Sequence, residues 1–320
     1  MDLLGPKLHL PSLTFREPKP GPERPGAMPA LRLPLLAGIL LLVAACSGAA
    51  SSSPSSTPAP SPSRTPRPSL GIDHPLGATD LVLRYDQVGG FIAPSATVTR
   101  GPIFSLYGDG TIIFRDSTEA PPQLADGIGR ATPYRTAKLS EPQMQVLLQQ
   151  AINDGALGIA RAEYVNNRIA DAPTTMFTLH AGGFDKTVSV VGLGIDKQPG
   201  PDSQTLSALA KLAERLGQFN AKTGFETQVY VPDRYRAILM DGVGDGPAPL
   251  GWPWPDIQQD TFKPGDGALT TFPNRIVTAG DVAKLNLPQL EGGLLGTPVK
   301  APDGKIYLLA LRPQLPDEQR

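Results

Sequence analysis

Apolar residues recur at two spacings along this chain, and the spacings sort it into strands and helices. Leu81-Val82-Leu83-Arg84-Tyr85 alternates, with Leu81, Leu83 and Tyr85 on one face, which predicts a strand. Residues 103–107 and 111–114 are two β-rich runs around Gly108-Asp109-Gly110. An Asp-Gly pair favours a type I′ turn, so centring it on Asp109-Gly110 predicts a hairpin pairing Leu106 with Ile113 and Tyr107 with Ile112. Both faces of that hairpin are apolar, which places it inside a sheet and covers it on each side. Ser140 and Gln143 have capping-box spacing, and behind them Met144, Leu147, Leu148, Ala151 and Ile152 fall on one helical face that Gly155 ends. Residues 174–180 and 186–191 predict a second hairpin around 181–185. A second helix follows over 203–216, with Leu206, Leu209, Leu212, Ala213 and Leu216 inward. The order is β-β-β, α, β-β, α. Hairpins rather than crossovers argue for an α+β fold, an antiparallel sheet with two helices on one face.

After residue 222 the pattern is less regular and predicts a smaller α+β module. Residues 227–231 and 236–240 read as strands, and 242–273 as a long Gly/Pro-rich loop. Residues 275–278 read as a short strand and 279–285 as a short helix. In 305–311, Ile306, Leu308 and Ala310 take one face and Tyr307, Leu309 and Leu311 the other, so this strand should be buried on both sides. The tail 312–320 is polar.

The first 70 residues follow a different logic. The apolar run 33–43 is too short for the ~20 residues a membrane-spanning helix needs and fits a signal-peptide core. It ends in Val43-Ala44-Ala45-Cys46, small residues before the only cysteine, which reads as a bacterial lipobox with Cys46 as the lipidated residue. Met28 makes a compact start, with Arg32 as the basic flank. Starting at Met1 adds six prolines that a helical leader does not favour. Residues 1–45 are thus expected to be leader and signal peptide. Of residues 47–70, nine are Ser, six Pro and two Thr. Such a stretch has too little apolar surface to offset its ordering entropy. Residues 46–70 are therefore expected to be a tether, holding the body roughly 30 to 70 Å from the membrane. The expected division is 1–45, 46–70, 71–222 and 223–320.

Removing residues 1–45 leaves 24 basic and 27 acidic side chains, a formal charge of −3. No basic excess remains for phosphates, which argues against nucleic acid as a partner. With Cys46 acylated no thiol is left for disulfides, thiolate metal sites or a cysteine nucleophile. Stability must come from packing, and a monomer is expected.

From Ser105-Leu106-Tyr107-Gly108-Asp109-Gly110 to Asp171-Ala172-Pro173-Thr174-Thr175 the chain resembles a group of bacterial lipoproteins with a Tyr-Gly-Asp-Gly hairpin and an Asp-Ala-Pro-Thr-Thr strand start. Leu139-Ser140 and Leu311-Arg312-Pro313-Gln314-Leu315-Pro316-Asp317-Glu318 extend the likeness over most of residues 80–318. These motifs are hairpin and cap signals. The group has no assigned activity, so the resemblance implies architecture and lipidation and no reaction.

Candidate chemistry is thin. The histidines are His9, in the leader, His74, at the end of the tether, and His180, on a strand. A metal site needs converging ligands, and a serine hydrolase would carry a Gly-x-Ser-x-Gly elbow, which is absent. Asp241-Gly242-Val243-Gly244-Asp245-Gly246 starts like a calcium loop, but Val243 and Trp252 stand where an acid or amide and a glutamate belong. Glu163 and Asp171 could form a carboxylate pair, although acids in loops usually face water. Trp252-Pro253-Trp254-Pro255 is the candidate ligand platform, with packing over the second core as the alternative. No cofactor, metal or catalytic residue is assigned.

Two function classes follow. The first is a non-catalytic surface module on the extracytoplasmic face of a cell membrane. It is held there by lipid on Cys46 and has an envelope protein or glycan as partner. The second is an envelope hydrolase, which requires Glu163, Asp171 and His180 to converge in one pocket.

Overall fold

A computed structural model describes residues 71–320 except 93, 167, 196–199, 243–246, 266–271 and 320. The leader, Cys46 and the tether lie outside the described residues. The described body is mixed α+β, with two large sheets and few helices.

The alternation beginning at Leu81 forms β1 (Leu81–Gly89), followed by α1 (Pro94–Thr99), β2 (Phe104–Tyr107), β3 (Thr111–Arg115) and β4 (Tyr134–Lys138). Then come α2 (Glu141–Gln149), β5 (Glu163–Tyr164), β6 (Pro173–Ala181), β7 (Phe184–Val191), α3 (Ser203–Gly217), α4 (Phe219–Thr223) and β8 (Gln228–Val229). The first sheet has the order β5-β7-β6-β1-β2-β3-β4-β8. β1 pairs with both β2 and β6, so Leu179, Leu83, Leu106 and Ile112 form one cross-strand row and Val188, Phe177, Tyr85, Phe104 and Phe114 the next. Residues directly opposite share a face. The buried side chains of α2, α3 and α4 lie in the same hydrophobic cluster as these rows. Phe219 of α4 sits with its ring 5.0 and 5.5 Å from those of Phe104 and Phe114.

The central hairpin differs from the expected register by one residue. Leu106 pairs with Ile112 and Ser105 with Ile113. Gly110 is the only turn residue with positive φ, at +87°, and its N–H donates to Tyr107 O at 2.9 Å. The loop is therefore Gly108-Asp109-Gly110, a tight turn followed by a left-handed glycine, rather than a two-residue type I′ turn. The type I′ geometry appears in the second hairpin, where Gly182 and Gly183 have φ of +62° and +77° between paired Ala181 and Phe184. In α2, Gln143 Oε1 accepts from the Ser140 N–H at 2.8 Å and from its hydroxyl at 2.9 Å. A π-turn prolongs the helix through Asp154, with the Gly155 N–H donating to Gln150 O at 2.7 Å.

The second sheet is built from β9 (Arg234–Asp241), β10 (Leu250–Gly251), β11 (Lys263–Pro264), β12 (Pro273–Thr278), β13 (Leu294–Lys300) and β14 (Ile306–Pro313), with α5 (Ala279–Ala283) after β12. Its order is β10-β13-β14-β9-β12-β11. β14 is an inner strand, with Leu309 and Leu311 in one buried cluster and Ala310 in another. β13 is an addition to the sequence reading. Its Gly296 and Pro298 hide the strand pattern, and its register shifts at Gly296, which has φ of +107°. The expected loop 242–273 contains the short strands β10 and β11. The expected strand 227–231 is reduced to β8, which pairs with β4 of the first sheet.

The change of sheet does not follow the 222/223 boundary cleanly. Val98 of α1 packs against Ile238, Met240 and Ala310 of the second sheet. Ile128 belongs to the second core, and buried Arg130 bridges to Leu294. In the other direction, Leu315 is fully buried with Tyr107, Ile113 and Tyr134 of the first sheet. The polar tail is likewise packed, with Arg312 and Gln314 4% and 1% exposed.

A Cβ at Gly110 would collide with the Leu139 carbonyl oxygen, whereas one at Gly127, also at positive φ, meets nothing. Gly110→Ala should then cost on the order of 3 kcal/mol and Gly127→Ala about 1 kcal/mol in urea unfolding. Equal costs would mean that the Gly110 turn is not tightly enclosed.

Candidate functional site

Trp254 is fully buried, and its indole N–H donates to Asp281 O at 2.9 Å in the first turn of α5. Trp252 is half-buried, with its N–H donating to Ile257 O at 2.7 Å. The two rings meet edge to face at 5.3 Å, and Phe262 lies 6.0 and 6.1 Å from them. The structure therefore corrects the platform expectation. Trp254 has no free face, and the pair closes the second core.

Glu163, Asp171 and His180 do not converge. Asp171 precedes β6 at φ +55°, while His180 is near the far end of that strand, about 20 Å beyond its start at the usual rise. Glu163, on the edge strand β5, pairs with Ser189, level with Met176 partway along β6. His180 instead borders an open concavity of about 800 Å³ that also includes His74, Asp73, Asp80 and Asp317. Three of its charged or ionisable groups already have partners within the fold. His180 Nδ1 is 2.8 Å from Asp185 Oδ1, His74 Nε2 is 3.3 Å from Glu141 Oε1, and Asp317 is bonded to Arg84. The His74 side chain is 3% exposed, so the expected tether histidine belongs to the folded body. Of the calcium-like loop, residues 243–246 lie outside the described residues. Among the described residues no group of three or more His, Cys, Asp or Glu is placed to hold a metal.

The N-terminal end of the body is pinned to α2. The Ile72 N–H donates to Gln145 Oε1 at 2.7 Å, and Gln145 Nε2 donates back to Ile72 O at 2.9 Å. Gln145 also bonds to Glu141. That hydrogen bond and His74 outweigh slight burial and hold the Glu141 carboxyl below its ordinary pKa.

Beside this contact runs a groove of about 420 Å³ between α2 and α4. Its apolar wall comes from Leu139, Leu147 and Phe219, all buried, together with half-buried Phe225. Val146, 54% exposed, stands on its rim. Phe219 has one side on the sheet and stacks at 5.7 Å on Phe225, so the wall is fixed by the core behind it. The polar members are Gln143, Thr223, Gln150 and Arg215, and no carboxylate lines the groove. Gln150 Oε1 is shielded from solvent without a hydrogen-bond partner, and the exposed Arg215 has no ion-pair partner among the described residues. An apolar cleft with a few convergent polar groups is the usual form of a small-molecule site. Sequence reasoning missed it because Arg215 looks like an ordinary last-turn cation and the groove's halves lie about 70 residues apart.

Comparison with known proteins finds no matching family model, no matching curated protein and no matching solved structure.

The Trp cluster is open to test. Trp254→Ala should cost about 3–5 kcal/mol in urea unfolding followed by circular dichroism, and Trp252→Ala distinctly less. An unchanged midpoint for Trp254→Ala would restore a surface role to that residue.

Proposed function

We propose that this chain is a lipid-anchored protein on the extracytoplasmic face of a bacterial cell membrane, with a folded body that is a non-catalytic binding module. The observation that carries the reading is Val43-Ala44-Ala45-Cys46 at the end of the apolar run 33–43, followed by the Ser/Pro-rich stretch 47–70. Acyl chains on Cys46 supply the anchor, since one cysteine bearing several chains holds a bilayer where a single myristoyl chain does not. Among the described residues no helix is long and apolar enough to cross a membrane, so the body has no span of that kind to offer instead. In this reading α2 and α3 shield one face of the first sheet, and the outer side of α2 is left for a ligand. A binding role is favoured over hydrolysis because the polar groups of the groove are a cation, two amides and a threonine hydroxyl that already donates to Phe219 O.

Cys46→Ala tests the anchor. The variant should appear in the soluble fraction of the envelope, whereas the unmodified chain stays with membranes through a high-salt wash. A variant that remains with membranes after the wash would contradict lipidation at Cys46.

A further inference from the structure

The groove between α2 and α4 offers an apolar wall and a cation with no ion-pair partner among the described residues. Leu147, Phe219 and Phe225 form the wall and Val146 the rim, while Gln150 and Arg215 stand among them. These features constrain the occupant in four ways. The wall demands a hydrocarbon body, since water against fixed Leu and Phe surface is released when such a body enters. The head of the occupant must be anionic. Arg215 is unpaired among the described residues, whereas nearby Glu214 is already 3.0 Å from Lys222, and no carboxylate lines the groove. The Gln150 carboxamide, with an unpartnered Oε1, can turn over and present its N–H groups to the same head. The size, about 420 Å³, suits one chain.

The fourth constraint is position. Val146 lines both this groove and the hollow around Gly71 and Ile72, where the body continues into the segment leading back to Cys46. A tether of the length expected from its composition, roughly 30 to 70 Å, would keep the groove within reach of the bilayer and raise the effective concentration of free fatty acids dissolved there.

We infer that the groove binds a single unesterified fatty acid, a long acyl chain ending in a free carboxylate, drawn from those dissolved in the membrane that holds the protein. The location rests on the anchoring proposed above; the ligand chemistry rests on the groove alone. The carboxylate pairs with the Arg215 guanidinium and accepts from Gln150, and the chain runs along Phe225, Phe219 and Leu147 under Val146.

The test uses the full-length Cys46→Ala chain, so that anchoring and binding fail separately. Equilibrium dialysis against labelled hexadecanoate below its micelle concentration should show one saturable equivalent per chain. Shortening the probe should weaken binding by up to about fourfold per methylene removed. Arg215→Ala should weaken hexadecanoate about fivefold and leave its methyl ester unchanged, as expected for an exposed charge pair. Val146→Asp should abolish binding of both probes. Both side chains are exposed, and an unchanged melting temperature checks that each variant keeps its fold. Absence of saturable binding would overturn the inference, as would Val146→Asp binding like the parent. An equal loss for acid and ester in Arg215→Ala would remove the anionic head from it. A concentration-dependent dimer that Val146→Asp dissolves would make the groove a contact between copies and overturn the inference outright.

Discussion

The Asp317 carboxylate accepts hydrogen bonds from Arg84 Nη2 and Tyr107 Oη, each at 2.8 Å, and so joins the last turn of the chain to the two central strands of the first sheet. Arg84 is mostly enclosed. Burial by itself would lower its pKa, and Asp317 reverses the sign, so that the guanidinium is held above its ordinary value. Burial, and after it the same carboxylate, push the Tyr107 phenol upward. Glu318 repeats the arrangement one residue on, accepting from Arg312 at 2.9 Å and from the Leu315 N–H at 3.0 Å. Removing one partner of a buried ion pair leaves the other charged and desolvated, which costs about 3–5 kcal/mol. The C-terminal turn Pro316–Gln319 is thus the fastening that the two-sheet arrangement depends on.

This fastening explains why neither sheet is complete on its own stretch of sequence. Leu315 reaches the outer face of the first sheet, while Val98, Ile128 and Arg130 reach the second from before residue 131. Arg130 is held there by Asp126 at 2.7 Å and by Pro288 O at 2.8 Å, so its charge is paired where its side chain is wholly enclosed. The described residues accordingly group as one compact unit. The groove beside α2 inherits its rigidity from that unit, because Leu147 and Phe219 serve both as its wall and as part of the first core.

Much of this was legible in the sequence, and the exceptions have physical causes. The faces of the helices at 141–149 and 203–217 follow directly from apolar spacing, and so do the two hairpins and the double-sided strand at 306–313. The hairpin register was off by one because an Asp-Gly pair allows two turn geometries, and only the backbone at Asp109, which keeps negative φ, decides between them. The strand at 294–300 was hidden by Gly296 and Pro298, which local propensity reads as loop. Trp254 takes the packing alternative that its residue type already offered: its N–H finds a carbonyl in the following helix and its ring fills the core. The groove could not be read at all, since Gln150 and Arg215 meet only through the fold.

The cross-links between the two sheets make them one cooperative body. Both tryptophans of the chain lie at the second core, so their emission reports that sheet, while far-UV circular dichroism reports both. Urea unfolding of the full-length chain, followed by both signals, should give a single coincident transition, and Asp317→Ala should lower both midpoints by the same amount. Two separate transitions, or a midpoint that Asp317→Ala shifts in one signal alone, would contradict it.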